Sequence, residues 1–155
     1  MKVVYLLTLV LLTVSCKEKA QTNFSAQEIV DKSIMASGGE HYTANDLFYK
    51  FRDYQYVSEW KGGSRILKRI GFTDSLKVED VKSLRGFNRF VNDSLVPLRD
   101  SIANLYANSV NSVHYFAYLP YGLNDPAVNK ELMGEVTIGG KEYYKVKVTF
   151  DQQDG

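Results

Sequence analysis

The chain contains one cysteine and two histidines among its 155 residues. A single cysteine cannot close a disulfide within the chain, so the fold must depend on a hydrophobic core. The histidines, His41 and His114, lie far apart in the sequence, and neither belongs to a His-x-Glu pattern. Zinc sites need several ligands at characteristic spacings, so the sequence predicts no metal site. His114 adjoins the apolar stripe of a predicted helix and is expected to lie in or beside the core.

An excess of charge of one sign is also absent. The 19 Lys and Arg residues and 18 Asp and Glu residues give a net charge of +1, which falls to zero once Lys2 is removed with a leader segment. Proteins that bind nucleic acid usually carry a strongly basic face. We therefore expect no nucleic acid as a partner.

Motifs of catalysis are absent too, since no Gly-x-Ser-x-Gly occurs. The pair Gly38-Gly39 lacks a preceding strand and a following Gly-Lys-Ser, so it indicates the end of a helix rather than a phosphate loop. The acidic pair Glu79-Asp80 lies in polar, turn-like surroundings, where no burial is predicted, whereas a general acid needs a carboxyl group shifted by burial. The sequence predicts neither an enzyme nor a cofactor.

A leader segment is present at the N-terminus. Residues 1–15 contain Lys2, the apolar run 3–14 and a small residue, Ser15. This segment is too short to span a membrane and predicts a secretory signal. Cys16 follows directly and resembles the lipobox cysteine of bacterial lipoproteins, although Thr13 stands where leucine is usual. The resemblance implies that Cys16 carries a lipid anchor; the alternative is an ordinary signal peptide followed by a free thiol.

Three regions follow from this interpretation: a signal peptide at 1–15, a lipidated cysteine with a polar tether at 16–23, and one α+β domain at 24–155. The domain has about 130 residues, enough for a single core. Lys17 follows the cysteine, whereas an aspartate there retains lipoproteins in the inner membrane. We therefore expect a protein of the cell envelope, anchored in the outer membrane, with the membrane face left open.

Two helices are predicted. Ser25 and Glu28 form a capping box at the start of the first, which ends at Gly38-Gly39. The central helix begins at Asp100 or Ser101 and ends before Pro120. Its residues are poor helix formers, so tertiary packing must hold it. Its apolar stripe is predicted at Ile102, Leu105, Tyr106, Ser109, Val110, Val113, Phe116 and Ala117.

Strands are predicted by apolar residues at every second position from Leu47 onward. The phase changes at Tyr54, which suggests a bulge. A second strand places Ile66, Ile70 and Phe72 opposite Arg65 and Arg69. Turns and hairpins are expected at 61–64, 92–93 and 139–140. Together these elements predict an α+β fold in which a helix lies on an antiparallel sheet.

The first helix with its following strands resembles the LolA/LolB-type carriers of lipoproteins, and so does the segment MGEVTIGGKEYYKVKVTF. Residues 108–152 resemble more closely a family of uncharacterised Gram-negative lipoproteins. The resemblance implies a strongly curved antiparallel sheet, a half-open β-barrel, with the N-terminal and central helices over its concave face. It also implies further strands beyond Phe150, so the chain is expected to be incomplete at its C-terminus.

Aromatic residues are abundant, with eleven Tyr and eight Phe. Several cluster where the central helix meets its loop, and a tyrosine has an apolar body with a polar tip. One hypothesis is a non-catalytic carrier that binds an apolar ligand or acyl chain; the other is a structural or accessory lipoprotein with a packed, tyrosine-rich interior and a protein partner. For the carrier, the predicted ligand-binding residues are Val113, Phe116, Leu119, Tyr121 and Val146.

Overall fold

A computed structural model of the chain describes residues 24–151. The predicted signal peptide, Cys16 and the tether lie outside these residues, as do the last four positions. The helices are α1 (Ala26–Ser37), α2 (His41–Ala44), α3 (Asp100–Ala117) and a 3-10 helix (Tyr121–Asn124). The strands are β1 (Leu47–Phe51), β2 (Tyr54–Lys61), β3 (Ser64–Thr73), β4 (Leu76–Ser83), β5 (Gly86–Val91), β6 (Ser94–Val96), β7 (Val128–Ile138) and β8 (Lys141–Phe150).

Strands β1 to β6 form one antiparallel sheet in chain order. Each strand turns directly into the next through a short connection, and Gly62 and Gly63 supply the positive φ angles that the β2–β3 turn requires. The predicted bulge at Tyr54 is wrong. Phe51 pairs with Tyr54, and Arg52, with φ 55°, lies in a turn between two separate strands. The α+β class and the antiparallel sheet are confirmed.

The last hairpin, β7–β8, forms a two-stranded sheet of its own within residues 24–151. Ile138 pairs with Lys141 across the predicted glycine turn, and the register shifts between Leu132 and Glu135. This hairpin is covered by α1, and the ring centroids of Phe24 and Tyr144 are 6.0 Å apart. The expectation that the N-terminal helix covers the large sheet is therefore wrong, since α1 packs mainly against β7 and the 3-10 helix.

The ends of α1 agree with the prediction. The Ser25 hydroxyl accepts a hydrogen bond from the Glu28 backbone N–H at 3.2 Å, and the Glu28 carboxylate accepts one from the Ser25 backbone N–H at 2.8 Å. Gly38, with φ 153°, ends the helix. Both signals act within a few residues of chain, which explains why the sequence alone indicates them.

The central helix, α3, packs on β3, β4 and β5, with its buried side chains at Ala107, Val110 and His114. The predicted stripe is rotated by about one residue from this buried stripe. Ile102, Leu105 and Phe116 belong to the predicted stripe but are exposed. Val110 belongs to both stripes and is fully buried, so the helix covers the large sheet as expected, with its buried face turned by about one residue.

Successive side chains of β3 point to opposite faces of the sheet, and α3 covers only one of these faces. Arg65 and Arg69 point toward the helix, as their contacts with Tyr118 and Ser109 show. Ile66 and Ile70 lie on the opposite face. The helix therefore packs on the face of β3 that carries the arginines, and this arrangement creates the groove described below.

Candidate functional site

The predicted ligand-binding residues are spread over the last third of the described chain. Phe116 has 71% of its surface exposed and Leu119 is also exposed, while Val113, Tyr121 and Val146 are half-buried. Tyr121 lines a cavity of about 310 Å³ together with Arg65, Tyr115 and Tyr118. The other four residues line neither this cavity nor the two others described below.

A groove of about 430 Å³ lies between α3 and strands β2 to β5. We call it the α3 groove. Its polar lining comes from Tyr54, Arg69, Thr73, Asp80, Arg89, Tyr106 and Ser109. Val78 and Leu105 add apolar surface, and Leu105 is 65% exposed, so the groove opens to solvent there. Its volume lies in the range of about 300–1,000 Å³ that is typical of small-molecule sites.

The floor of the α3 groove is an Arg–Asp–Arg triad across three neighbouring strands. Arg69 pairs with Asp80 in the β3–β4 register, and Asp80 pairs with Arg89 in the β4–β5 register. Arg69 Nε and Nη2 donate to Asp80 Oδ2 at 3.0 and 2.6 Å. Arg89 Nε donates to Oδ1 at 2.7 Å and its Nη2 to Oδ2 at 3.0 Å. Both carboxylate oxygens are therefore occupied by charge-assisted hydrogen bonds.

Asp80 is only 1% exposed and lies in the middle of β4. The expectation of polar, turn-like surroundings around Glu79-Asp80 is therefore wrong for Asp80. A carboxylate is stable at such a buried position only when it is paired and hydrogen-bonded, which the two guanidinium groups achieve. The hydrogen bond with Asp80 in turn raises the pKa of Arg89.

Helix α3 closes the groove from above. The Tyr106 ring centroid lies 3.6 Å from Arg89 Cζ, and Ser109 Oγ accepts a hydrogen bond from Arg69 Nη1 at 2.9 Å. A guanidinium group over a tyrosine ring is attracted by the ring's quadrupole. The helix therefore holds both arginines in place by contacts to their side chains.

Gly71 shapes one end of the groove. A Cβ atom at this position would lie 2.5 Å from two atoms of the Tyr54 ring. Only glycine therefore lets that ring lie against β3, where its centroid is 5.2 Å from Arg69 Cζ. Tyr54 and Tyr106 thus place aromatic surface on the two sides of the triad.

Next to the groove, His114 is buried at 1% exposure, which confirms its predicted place in the core. Its Nε2 lies 3.0 Å from the Lys68 carbonyl oxygen, which can only accept, so Nε2 carries the proton. Its Nδ1 then accepts a hydrogen bond from the Tyr49 hydroxyl at 3.1 Å. Burial lowers the pKa of His114 and raises the pKa of Tyr49, so both groups are neutral near pH 7.

A third arginine, Arg65, lies further along the same sheet face. It stacks between the rings of Trp60 and Tyr118, with its Cζ 4.6 and 4.4 Å from their centroids. Its Nη1 donates to Ser58 Oγ at 2.9 Å, and its Nη2 donates to the Tyr42 carbonyl oxygen. These contacts bind the guanidinium group within the protein, so Arg65 joins β3 to α2.

Another cavity, of about 530 Å³, lies between the end of α1, α2 and the end of α3. His41 and Tyr42 line it, and the His41 ring is within hydrogen-bond distance of Asn45, at 3.1 Å. Within residues 24–151, no three His, Cys, Asp or Glu side chains are grouped so as to hold a metal ion. The α3 groove differs from the two other cavities in having a buried Arg–Asp–Arg triad at its floor.

Sequence reasoning did not identify Arg69, Asp80 and Arg89 as site residues. Their pairing could have been predicted from the positions of the two turns that join β3 to β4 and β4 to β5. Arg69 and Asp80 are equally far from the β3–β4 turn, and Asp80 and Arg89 are equally far from the β4–β5 turn. Residues placed in this way are direct cross-strand neighbours, so alternating charge at these positions indicates an ion-pair row.

Comparison with known proteins adds one match. A family profile described as "Family of unknown function (DUF6503)" matches residues 70–155. No curated protein and no solved structure matches the chain. No helix within residues 24–151 combines the length and hydropathy of a membrane span.

Proposed function

This chain belongs to the family of unknown function DUF6503, and we propose that it is a non-catalytic binding module held at the cell envelope by a lipid anchor. In this proposal the α3 groove binds a small ligand with an apolar body, such as a lipid or another amphiphile. The observation that carries the proposal is a groove of about 430 Å³ between α3 and the sheet. A helix that only completed a core would fill this space with side chains.

The anchor rests on the N-terminal sequence. The apolar run before Cys16 and the lipobox resemblance support export and lipidation, and Lys17 supports the outer membrane. The binding face rests on the six-stranded sheet. We propose that this sheet is curved like a half-open barrel, as in the LolA/LolB-type carriers, with α3 over its concave face.

The chemistry of the groove supports binding rather than catalysis. Asp80 accepts hydrogen bonds from two arginines on both oxygens, so it is poorly placed to accept a proton from a substrate. Both ring nitrogens of His114 are engaged by Lys68 and Tyr49. In this proposal the fixed side chains of the groove hold a ligand in position, and the two arginines supply its charged partner.

Binding of a neutral apolar probe tests the proposal. The full-length Cys16→Ser chain is titrated with N-phenyl-1-naphthylamine, and fluorescence reports binding. Leu105→Ala removes exposed apolar surface at the mouth of the groove and should weaken binding by roughly three- to tenfold. Phe116→Ala, which removes an exposed side chain of α3 outside the groove, is the matched control and should leave the affinity unchanged.

The opposite result would place the ligand at Phe116, one of the ligand-binding residues predicted from the sequence. Lack of probe binding by the unsubstituted groove would contradict a binding function for an apolar ligand. The two α3 variants therefore distinguish the two sites, and the parent chain decides whether either exists.

The alternative function is that of a structural or accessory envelope lipoprotein with a protein partner. One observation favours it: Phe48, Phe72 and Leu95 are exposed on the sheet face that α3 leaves uncovered. Exposed apolar surface of this kind is typical of protein interfaces. Cross-linking from Phe72 in the envelope, with binding of the apolar probe absent, would support this alternative over the first.

A further inference from the structure

We propose that the Arg69–Asp80–Arg89 triad in the α3 groove recognises a single carboxylate carried on an apolar body. This inference rests on the proposed binding function and specifies the ligand class. It follows from the charge balance of the triad, the donors that surround it and the shape of the groove.

The charge balance comes first. Two guanidinium groups surround one carboxylate, so the triad carries one net positive charge. Among the residues that line the groove, Asp80 is the only acidic one. An uncompensated charge in a partly enclosed space is costly, and one ligand anion neutralises it.

The donors come second. Each guanidinium group has about five N–H donors. The two arginines direct five hydrogen bonds to Asp80 and Ser109. The Ser109 hydroxyl accepts from Arg69 and keeps its own O–H as a donor. Arginine and hydroxyl donors converging on one cavity match the acceptor oxygens of a carboxylate.

The size of the charge favours a monoanion, such as a carboxylate, over doubly charged phosphate. One excess positive charge balances a monoanion, whereas a doubly charged phosphate would leave a negative charge beside Asp80. The remaining walls are the rings of Tyr54 and Tyr106, the side chains of Thr73, Val78 and Leu105, and Gly71. The rings and the side chains of Val78 and Leu105 offer apolar and aromatic contact to the body of a ligand, which a small inorganic ion lacks.

Isothermal titration of the full-length Cys16→Ser chain with three probes tests the inference. The probes are decanoate, decan-1-ol and inorganic phosphate, at a pH where decanoate is ionised. Decanoate should bind about tenfold or more tightly than decan-1-ol, because only the carboxylate gains charge-assisted hydrogen bonds. Phosphate should bind more weakly than decanoate.

A pair of variants tests the location without disturbing the triad. Leu105 is 65% exposed, so both Leu105→Glu and Leu105→Gln are expected to fold. The two variants have side chains of nearly the same size and differ in the negative charge that Glu places at the mouth of the groove. Leu105→Glu supplies a competing carboxylate and should bind decanoate about tenfold less tightly than Leu105→Gln. Arg99→Gln removes an exposed positive charge outside the groove and should have no effect.

Each outcome has a distinct meaning. Equal affinity for decanoate and decan-1-ol, or equal decanoate affinity of the two Leu105 variants, overturns the carboxylate site but leaves the apolar binding function standing. Phosphate binding as tight as decanoate binding overturns the inference in favour of a general anion site. Lack of binding by both decanoate and decan-1-ol contradicts the inference and the proposed function together.

Discussion

Asp80 holds the polar face beneath α3 together, because its carboxylate joins strands β3 and β5 through Arg69 and Arg89. Buried ion pairs contribute little net stability compared with apolar packing, since both partners must be desolvated. Their loss is costly in another way, because removing one partner leaves a buried charge without compensation. The triad therefore makes the correct register of β3, β4 and β5 strongly favourable over shifted registers.

Asp80→Asn should lower the free energy of unfolding by about 3–5 kcal/mol, because two arginines would then face each other without a carboxylate. Chemical denaturation measures this change. Asp93→Asn is the matched control, since Asp93 forms an exposed pair with Lys77 that should contribute at most about 1 kcal/mol. The triple replacement Arg69→Met, Asp80→Leu, Arg89→Met should restore most of the stability. Equal losses for Asp80→Asn and Asp93→Asn would contradict this account.

His114 predicts a dependence of stability on pH. Burial lowers its pKa in the folded state below the ordinary value of about 6.5. Between these two pKa values the unfolded chain binds a proton that the folded chain does not. The contribution of His114 is therefore complete above about pH 6.5 and is lost as the pH falls toward the lowered pKa, with a slope of at most about 1.4 kcal/mol per pH unit.

Denaturation curves at a series of pH values between about 7.5 and 5.5 measure this slope. His114→Gln keeps a hydrogen-bonding side chain, removes the titrating group and should flatten the curve in that window. His41→Gln is the matched control at an exposed position. A curve that stays as steep in His114→Gln as in the parent chain would assign the pH dependence to other groups.

At the scale of elements, the orientation of α3 is the central result. Its composition is poor for a helix, so packing on the sheet must hold it. The helix presents small or polar side chains, Ala107, Val110 and His114, to a sheet face that carries tyrosines and arginines. Larger apolar side chains, Leu105 and Phe116, remain at the surface. This arrangement leaves room for the groove beneath the helix.

Two substitutions on α3 test this orientation. Val110 is 0% exposed, and Val110→Ala should lower the free energy of unfolding by roughly 1–3 kcal/mol. Phe116→Ala removes a much larger side chain but should cost less than about 0.5 kcal/mol, because that side chain is exposed. Urea denaturation of both variants measures the difference. A loss of about 3–5 kcal/mol for Phe116→Ala would show that the predicted stripe, and not the buried one, faces the core.

At the scale of the whole molecule, two sheets with separate helices define the described chain. The α1–β7 contacts hold the terminal hairpin, while α3 covers the large sheet. The ring centroids of Tyr115 on α3 and Phe150 on β8 are 5.9 Å apart, so the small sheet contacts the helix that covers the large sheet. The proposed anchor at Cys16 precedes α1, so in this proposal the membrane attachment is next in sequence to the helix that packs on the small sheet.

The anchor is tested by Cys16→Ser. We expect the substituted chain to be unprocessed or soluble, because acylation and cleavage both depend on the thiol. Membrane fractionation with mass analysis of the N-terminal peptide measures the outcome. Ser15→Thr, which keeps the thiol and changes only its neighbour, is the control and should remain in the membrane fraction. A mature, lipid-modified Cys16→Ser protein would contradict the proposal.

Local signals in the sequence were sufficient to predict α1, α3 and the hairpins, but not α2 or the 3-10 helix. The capping box of Ser25 and Glu28, the stop at Gly38-Gly39 and the turn at Gly139-Gly140 depend on a few neighbouring residues each, and all three are confirmed. The short turns also predict that neighbouring strands pair, which the chain-order sheet confirms. A local signal failed at Arg52, because a change of apolar phase fits both a bulge and a turn.

Tertiary structure alone decided which surfaces meet. Hydrophobic alternation favours the face of Ile66 and Ile70 as the covered one, yet α3 packs on the face of Arg69. The burial of Asp80 could not be predicted from the sequence of β4, because the two arginines that compensate its charge lie on β3 and β5. The sequence by itself therefore determined the two long helices, the hairpins and their order along the chain. The orientation of α3, the Arg–Asp–Arg triad and the groove between them depended on contacts between residues that are distant along the chain.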